Sequence, residues 1–181
     1  TYNDGDNYIG FSFDKLEAVY GNPGPEGEEN MTSLNPTKNS FNFQSSFSLN
    51  TAYFSKFNLQ GAVSEYNHSE RTGDGNNHNI NFFSDLYEIK TSLNHKSIID
   101  VNTEGLIGFH FQNYDQGALG QEESHLVHTR TSSFALFALE SFNFDLFDLD
   151  VGGRLESVNL KNTSMEKGFF PAAFSSTIKR E

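Results

Sequence analysis

From Ser40 to Asn50 the chain alternates without a break. Phe41, Phe43, Ser45, Phe47 and Leu49 fall on one side, and Ser40, Asn42, Gln44, Ser46, Ser48 and Asn50 on the other. A helix, with its 3.6-residue period, would mix the two sets, whereas a strand separates them fully. The same device returns at Ile9, Phe11 and Phe13 against Gly10, Ser12 and Asp14. It returns again at Ile107, Phe109 and Phe111 against Gly108, His110 and Gln112, and at Leu149, Val151 and Leu155 against Asp150, Gly152 and Arg154. Phe57, Leu59 and Val63 mark a further strand, and Tyr87, Ile89 and Leu93 another. Phe134 to Phe142 is apolar on both faces, and Pro171 to Ile178 reads as a last strand. No segment reads as a helix.

The connections are as informative as the strands. Polar, glycine-rich stretches run from Gly21 to Lys38, Ser69 to His78, Asp115 to Val127 and Asn159 to Gly168. Between them lie short links at Thr51 to Lys56, Lys96 to Asp100 and Asn143 to Asp148. Alternating long and short connections are the rhythm of an outer-membrane barrel, with long loops outside and tight turns on the periplasmic side. The expectation is an all-β chain: an antiparallel transmembrane β-barrel segment of about eight strands, residues 1–181 forming one domain. Each strand is somewhat longer than the ~9–11 residues that span a bilayer.

Composition supports this. The chain holds 19 Phe and 7 Tyr yet has a mean hydropathy of -0.55, as expected when alternate residues face lipid and a wet lumen. No run approaches the ~20 apolar residues of a membrane helix. A net charge of -12 argues against a nucleic-acid partner, because phosphate binding needs clustered Lys and Arg. Absence of Cys fits an exported chain without a disulfide framework. No signal-peptide pattern opens the chain, which reads as mature or as cut from something longer.

Four segments carry a resemblance. Asp14 to Asn30 (DKLEAVYGNPGPEGEEN) is similar to the strand end and loop of TonB-dependent outer-membrane receptors, where a Tyr-Gly-x-Pro-Gly step leaves the strand. Glu104 to Ser124, His128 to Phe144 and Leu149 to Glu156 (LDVGGRLE) resemble successive strands of that family, in the family's order. The first loop most resembles that of receptors proposed to scavenge zinc. The resemblance implies a Gram-negative outer-membrane location and energised uptake of a scarce ligand, a metal ion or metal chelate such as zinc. It also implies a plug domain of the same parent chain, and TonB acting through it. Neither plug nor TonB-box segment is visible here, and the family has about 22 strands, so the implied chain is a piece from the middle of a barrel. No cofactor is required.

Six His are present: His68, His78, His95, His110, His125 and His128. Imidazole and carboxylate suit Zn²⁺. His125 and His128, with Glu122 and Glu123 in the same long loop, are therefore the candidate metal ligands. The alternative is that they are ordinary solvated loop residues. His110 is expected to face the lumen, and His95 to lie inert at the periplasmic end. Glu26, Glu28 and Glu29 form an acidic loop cluster that would attract cations or simply be solvated. Asp150, Arg154 and Glu156 alternate on one strand face as a structural charge ladder or a plug contact. No GxSxG, HExxH or phosphate loop occurs, so the chain does not read as an enzyme. Two other readings remain open: a complete small eight-stranded barrel with a structural or adhesion role, and a soluble β-sandwich binding module.

Overall fold

A computed structural model describes residues 1–22, 32–71, 73, 79–97, 103–120, 128–144, 146–162 and 175–180. All regular structure in them is extended. The strands are β1 (Tyr2–Asn3), β2 (Tyr8–Glu17), β3 (Tyr20–Gly21), β4 (Ser33–Ser48) and β5 (Phe54–Arg71), followed by β6 (Asn79–His95), β7 (Thr103–Gly120), β8 (Thr129–Asn143), β9 (Asp148–Asn162) and β10 (Ser175–Arg180). They form one antiparallel sheet in the order β1-β2-β4-β5-β6-β7-β8-β9-β10, with β3 added to β4. Setting aside the two-residue strands β1 and β3, eight remain, the number expected.

The sheet is open. Among the described residues β2 pairs with β1 only through Tyr8 and Ile9, and β10 pairs with β9 only from Glu156 to Lys161. The outer edges of Gly10–Glu17 and Asp148–Leu155 thus carry no partner strand here.

Because every neighbouring pair is antiparallel, the connections fall into two sets. Those spanning 22–32, 72–78, 121–128 and 163–174 leave from one end of the sheet, and those spanning 49–53, 96–102 and 144–147 from the other. The loop bounds read from the sequence need correcting. Strand β4 begins at Ser33 rather than after Lys38, β7 continues to Gly120 rather than ending near Asp115, and β9 runs to Asn162. The last strand is described over Ser175–Arg180, and residues 171–174 of its expected span lie outside the described residues. Polar residues such as Asn35, Lys38, Asp115 and Gln116 signalled loop, but ladder pairing to adjacent long strands keeps them extended.

At the short-link end, the turn before β2 is tightly bonded. Asp4 Oδ1 accepts from the backbone N–H of Asp6 at 3.0 Å and of Asn7 at 2.6 Å, while Gly5 takes φ 95°. Asn7 then ties the turn to β4, its Oδ1 accepting from Ser48 N at 3.1 Å.

Candidate functional site

Register defines two faces. The row Phe11–Phe43–Gly61–Ile89–Phe111–Phe134–Ser157 crosses the sheet from β2 to β9 on one face, called face A. In β4, Phe41, Phe43 and Phe47 lie on face A and Ser40, Asn42, Gln44 and Ser46 on the opposite face B, as the alternation requires.

Face A carries a continuous apolar band that no second layer covers among the described residues. Phe11 is 60% exposed, Phe13 65% and Leu155 61%. Water-exposed aromatics on this scale are unusual in a monomeric soluble domain.

The band runs obliquely. Its upper edge, toward the long-loop end, is Phe13 on β2, two residues above the reference row, and Leu155 on β9, two residues below it. Its lower edge goes from Ile9, two residues below the row, to Leu149, eight residues below. Over the six steps from β2 to β9 the band therefore slips by somewhat less than one residue per strand. With ~3.4 Å rise and ~4.8 Å strand spacing, that slip corresponds to strands tilted by roughly 30° from the normal to the band. Membrane barrels tilt by about 35–45°.

Within the band small side chains leave an apolar groove, lined by Phe57, Ile107, Phe109, Leu136 and Leu155 around Ala138 and Gly153. The lower edge of the band is marked by a polar pair. His95 Nε2 lies 2.8 Å from Glu140 Oε2, and its Nδ1 lies 2.9 Å from the Lys96 carbonyl oxygen. Two oxygen acceptors suit a ring that donates from both nitrogens. His95 stands at the short-link end as expected, hydrogen-bonded to Glu140 and to the Lys96 carbonyl oxygen.

Face B at the same level is a polar ladder. Ser40 and Ser64 share a hydrogen bond of 3.1 Å, and Asn58 Nδ2 donates to Ser92 Oγ and to Asn94 Oδ1. Its densest part is charged. His110 Nε2 lies 2.7 Å from Glu88 Oε1 and its Nδ1 lies 3.1 Å from Arg154 Nη2, which also donates to Glu156 Oε1 at 3.1 Å. Arginine only donates, so Nδ1 of His110 is the acceptor and the Nε2–H donates to Glu88. Ala135 lies between His110 and Glu156 in the row and is fully buried beneath this bridge. Beside it, Phe137 lies against Gly108, and Lys90 Nζ stands 5.4 Å above the Phe137 ring centroid.

Of the four candidate metal ligands, Glu122, Glu123 and His125 lie outside the described residues. His128 is described, and its Nε2 is 2.5 Å from Asp115 Oδ1. Asp115 Oδ2 in turn accepts from Arg130 Nε at 2.9 Å, and the edge of Phe83 meets the His128 ring. Among the described residues no group of three metal-ligating side chains converges.

His110 and Arg154 stand on face B, as the alternation predicts, and Arg154 joins Glu156 on its own strand to His110 across β8. What sequence reading missed was the pairing: Glu88 as partner of His110, Ala135 as the gap that lets Arg154 through, and Glu140 as partner of His95. The one available signal was a small residue, Ala135, set between Phe134 and Leu136. Compared with protein-family models and with curated proteins, the chain finds no match.

Proposed function

We propose that this chain is part of the lipid-spanning wall of a Gram-negative outer-membrane β-barrel, and that the barrel is a TonB-dependent receptor for energised uptake of a scarce ligand. The observation that carries the membrane reading is the oblique apolar band on a single-layer sheet. A flat slab of lipid crossing tilted strands covers a strip of roughly constant height whose register slips steadily from strand to strand. The groove around Ala138 and Gly153 is a shape that an acyl chain fills. A sandwich core would need a second sheet over face A, and the described residues form one sheet.

The receptor reading rests on the resemblance of four segments in order and on the polar face B, which suits a lumen occupied by a plug domain. In that reading the transported ligand is a metal ion or metal chelate such as zinc. Glu122, Glu123, His125 and His128 are the loop candidates, and TonB acts through the plug. The test is uptake of isotopically labelled zinc by cells expressing the full-length protein. Uptake that stops when TonB is deleted or the proton gradient collapses supports the receptor; uptake indifferent to both contradicts it.

A second reading draws on the strand count. Eight principal strands place β2 and β10 antiparallel, the arrangement a small closed barrel needs. Disulfide trapping between cysteines placed in β2 and β10 separates the two: efficient trapping means closure, and none means intervening strands.

A further inference from the structure

Beyond the upper edge of the band the sheet exchanges its polarity. Face A passes from Phe13, Val63, Tyr87 and Phe111 to Lys15, Glu65, Asp85 and Asp115, with Arg130 next in the row. Face B passes from Ser, Asn, Gln and charged residues to Leu34, Tyr66, His68, Phe82, Leu86 and Tyr114 on four adjacent strands. Phe83, on face A, is an exception, packed over Gly117 and edge-on to His128. The strands therefore continue past the band with charged residues on face A and, on face B, an aromatic and aliphatic cluster interspersed with Lys38, Glu70, Ser84 and Gln116. The patch on face B already shields Leu34 to 8% exposure.

We propose that this inner patch is a ligand-contact surface for a small molecule carrying an aromatic ring with a hydrogen-bonding edge; the inference rests on the membrane reading above. Lipid is not the occupant, because the patch lies on the face opposite the lipid band and beyond its edge. The wall chemistry selects a ring. Tyr66 meets His68 edge-on, with centroids 6.4 Å apart at 73°, and His68 meets Phe82 at 5.6 Å and 42°. A fourth ring extends this series in the edge-to-face geometry that aromatic quadrupoles favour.

The wall also presents polar groups to such a ring. His68 Nε2 is buried with no hydrogen-bond partner, and Glu70 Oε1 at 3.9 Å is too distant to supply one. A buried polar atom without a partner is costly, so a ligand hydroxyl that reaches it gains more than it would at a solvated site. The Tyr114 hydroxyl, held by Ser84 Oγ at 2.9 Å, gives a second polar contact. Lys38, beside Tyr66, and Glu70, beside Leu34, stand on the same face with opposite charges.

The probe is p-cresol, measured by saturation-transfer NMR on the full-length protein in lipid nanodiscs, with empty nanodiscs subtracted and cyclohexanol as the non-aromatic arm. The expected result is transfer to the cresol ring, with affinity at least tenfold weaker in Tyr66→Ala/Phe82→Ala and severalfold weaker in His68→Leu. The last substitution keeps the patch filled should the double variant misfold. Phe11→Ala, on the opposite face, should bind as the parent does. Equal cresol binding by parent and variants, no cresol binding at all, or cyclohexanol binding as well as cresol would each overturn the proposal. Bilayer insertion is scored on the same samples, so failed ring binding in an inserted protein sinks this inference and leaves the membrane reading standing.

Discussion

Arg154 on β9 reaches across β8 to hydrogen-bond His110 on β7 at 3.1 Å, and the residue it crosses is Ala135, which is left with no exposed surface. Two strands that do not pair are thereby tied together by side chains. The tie exists only because the intervening strand offers a methyl group at that row.

A larger side chain at that row should break the tie. Ala135→Leu blocks the path of the guanidinium and overpacks a filled site, at a cost of about 1–3 kcal/mol. Ala138→Leu, on face A beside the apolar groove, should stay within about 0.5 kcal/mol of the parent. Reversible urea unfolding from lipid bilayers measures both. Equal effects from the two substitutions would mean that face B is not the packed side of β8.

Gly108 answers a similar need. A Cβ built there meets the Phe137 ring and the Thr91 carbonyl oxygen inside contact distance. Gly108→Ala should therefore move Phe137 from under Lys90 and destabilise by about 1–3 kcal/mol. Combining it with Phe137→Ala should relieve only the part of that cost that the ring imposes, since the Thr91 carbonyl oxygen still stands inside contact distance of the added methyl group. A double variant no better than the sum of the singles would show that the backbone, and not the ring, resists the methyl group.

The turn at Asp4 gives a pH dependence with a definite sign. The Asn7 side-chain amide, then the Asn7 and Asp6 backbone N–H groups and the Tyr2 hydroxyl, hold the Asp4 carboxyl down at about 2, below the ordinary 3.8. A depressed folded-state pKa stabilises the ionised turn. That contribution is complete above pH 3.8 and disappears as pH falls through about 2. Amide exchange at Asp6 and Asn7 should stay protected at pH 4 and rise toward pH 2, and Asp4→Asn should flatten this dependence. Protection in the variant that still tracks pH would assign the effect to another group.

How much of this could be read in the amino-acid order depends on the range of the interaction. Alternation at Phe41 to Phe47 fixes which side chains share a face because the period of two is local. Strand ends were harder. Lys38, Asp115 and Gln116 look like loop residues in isolation, yet they pair across to Tyr66, Asp85 and Ser84 on neighbouring strands. The cross-strand contacts of His110 were not legible, since Glu88 is 22 residues away and Arg154 is 44, and only register brings them together. The exchange above Phe13, where Lys15 follows Phe13 on face A and Leu16 follows Asp14 on face B, is written in the sequence.

Charged substitutions should report the band's depth. Arg placed at Phe43 or Ile89, near the middle of face A, should cost about 2–4 kcal/mol in a bilayer. Arg at Phe13, at the upper edge, should cost about 1 kcal/mol or less. Unfolding titrations in bilayers of defined thickness supply the comparison. Costs that do not vary with position along β2, β4 and β6 would mean that no slab of lipid bounds the band.

The central claim is that face A meets lipid, and β4 tests it most directly. Single cysteines at 40 through 47, each carrying a fluorophore, are read in bilayers of brominated lipid. Quenching should alternate, strong at Phe41, Phe43, Ser45 and Phe47 and weak at Ser40, Asn42, Gln44 and Ser46. The same alternation with inverted phase, or uniform quenching along the strand, would contradict the assignment.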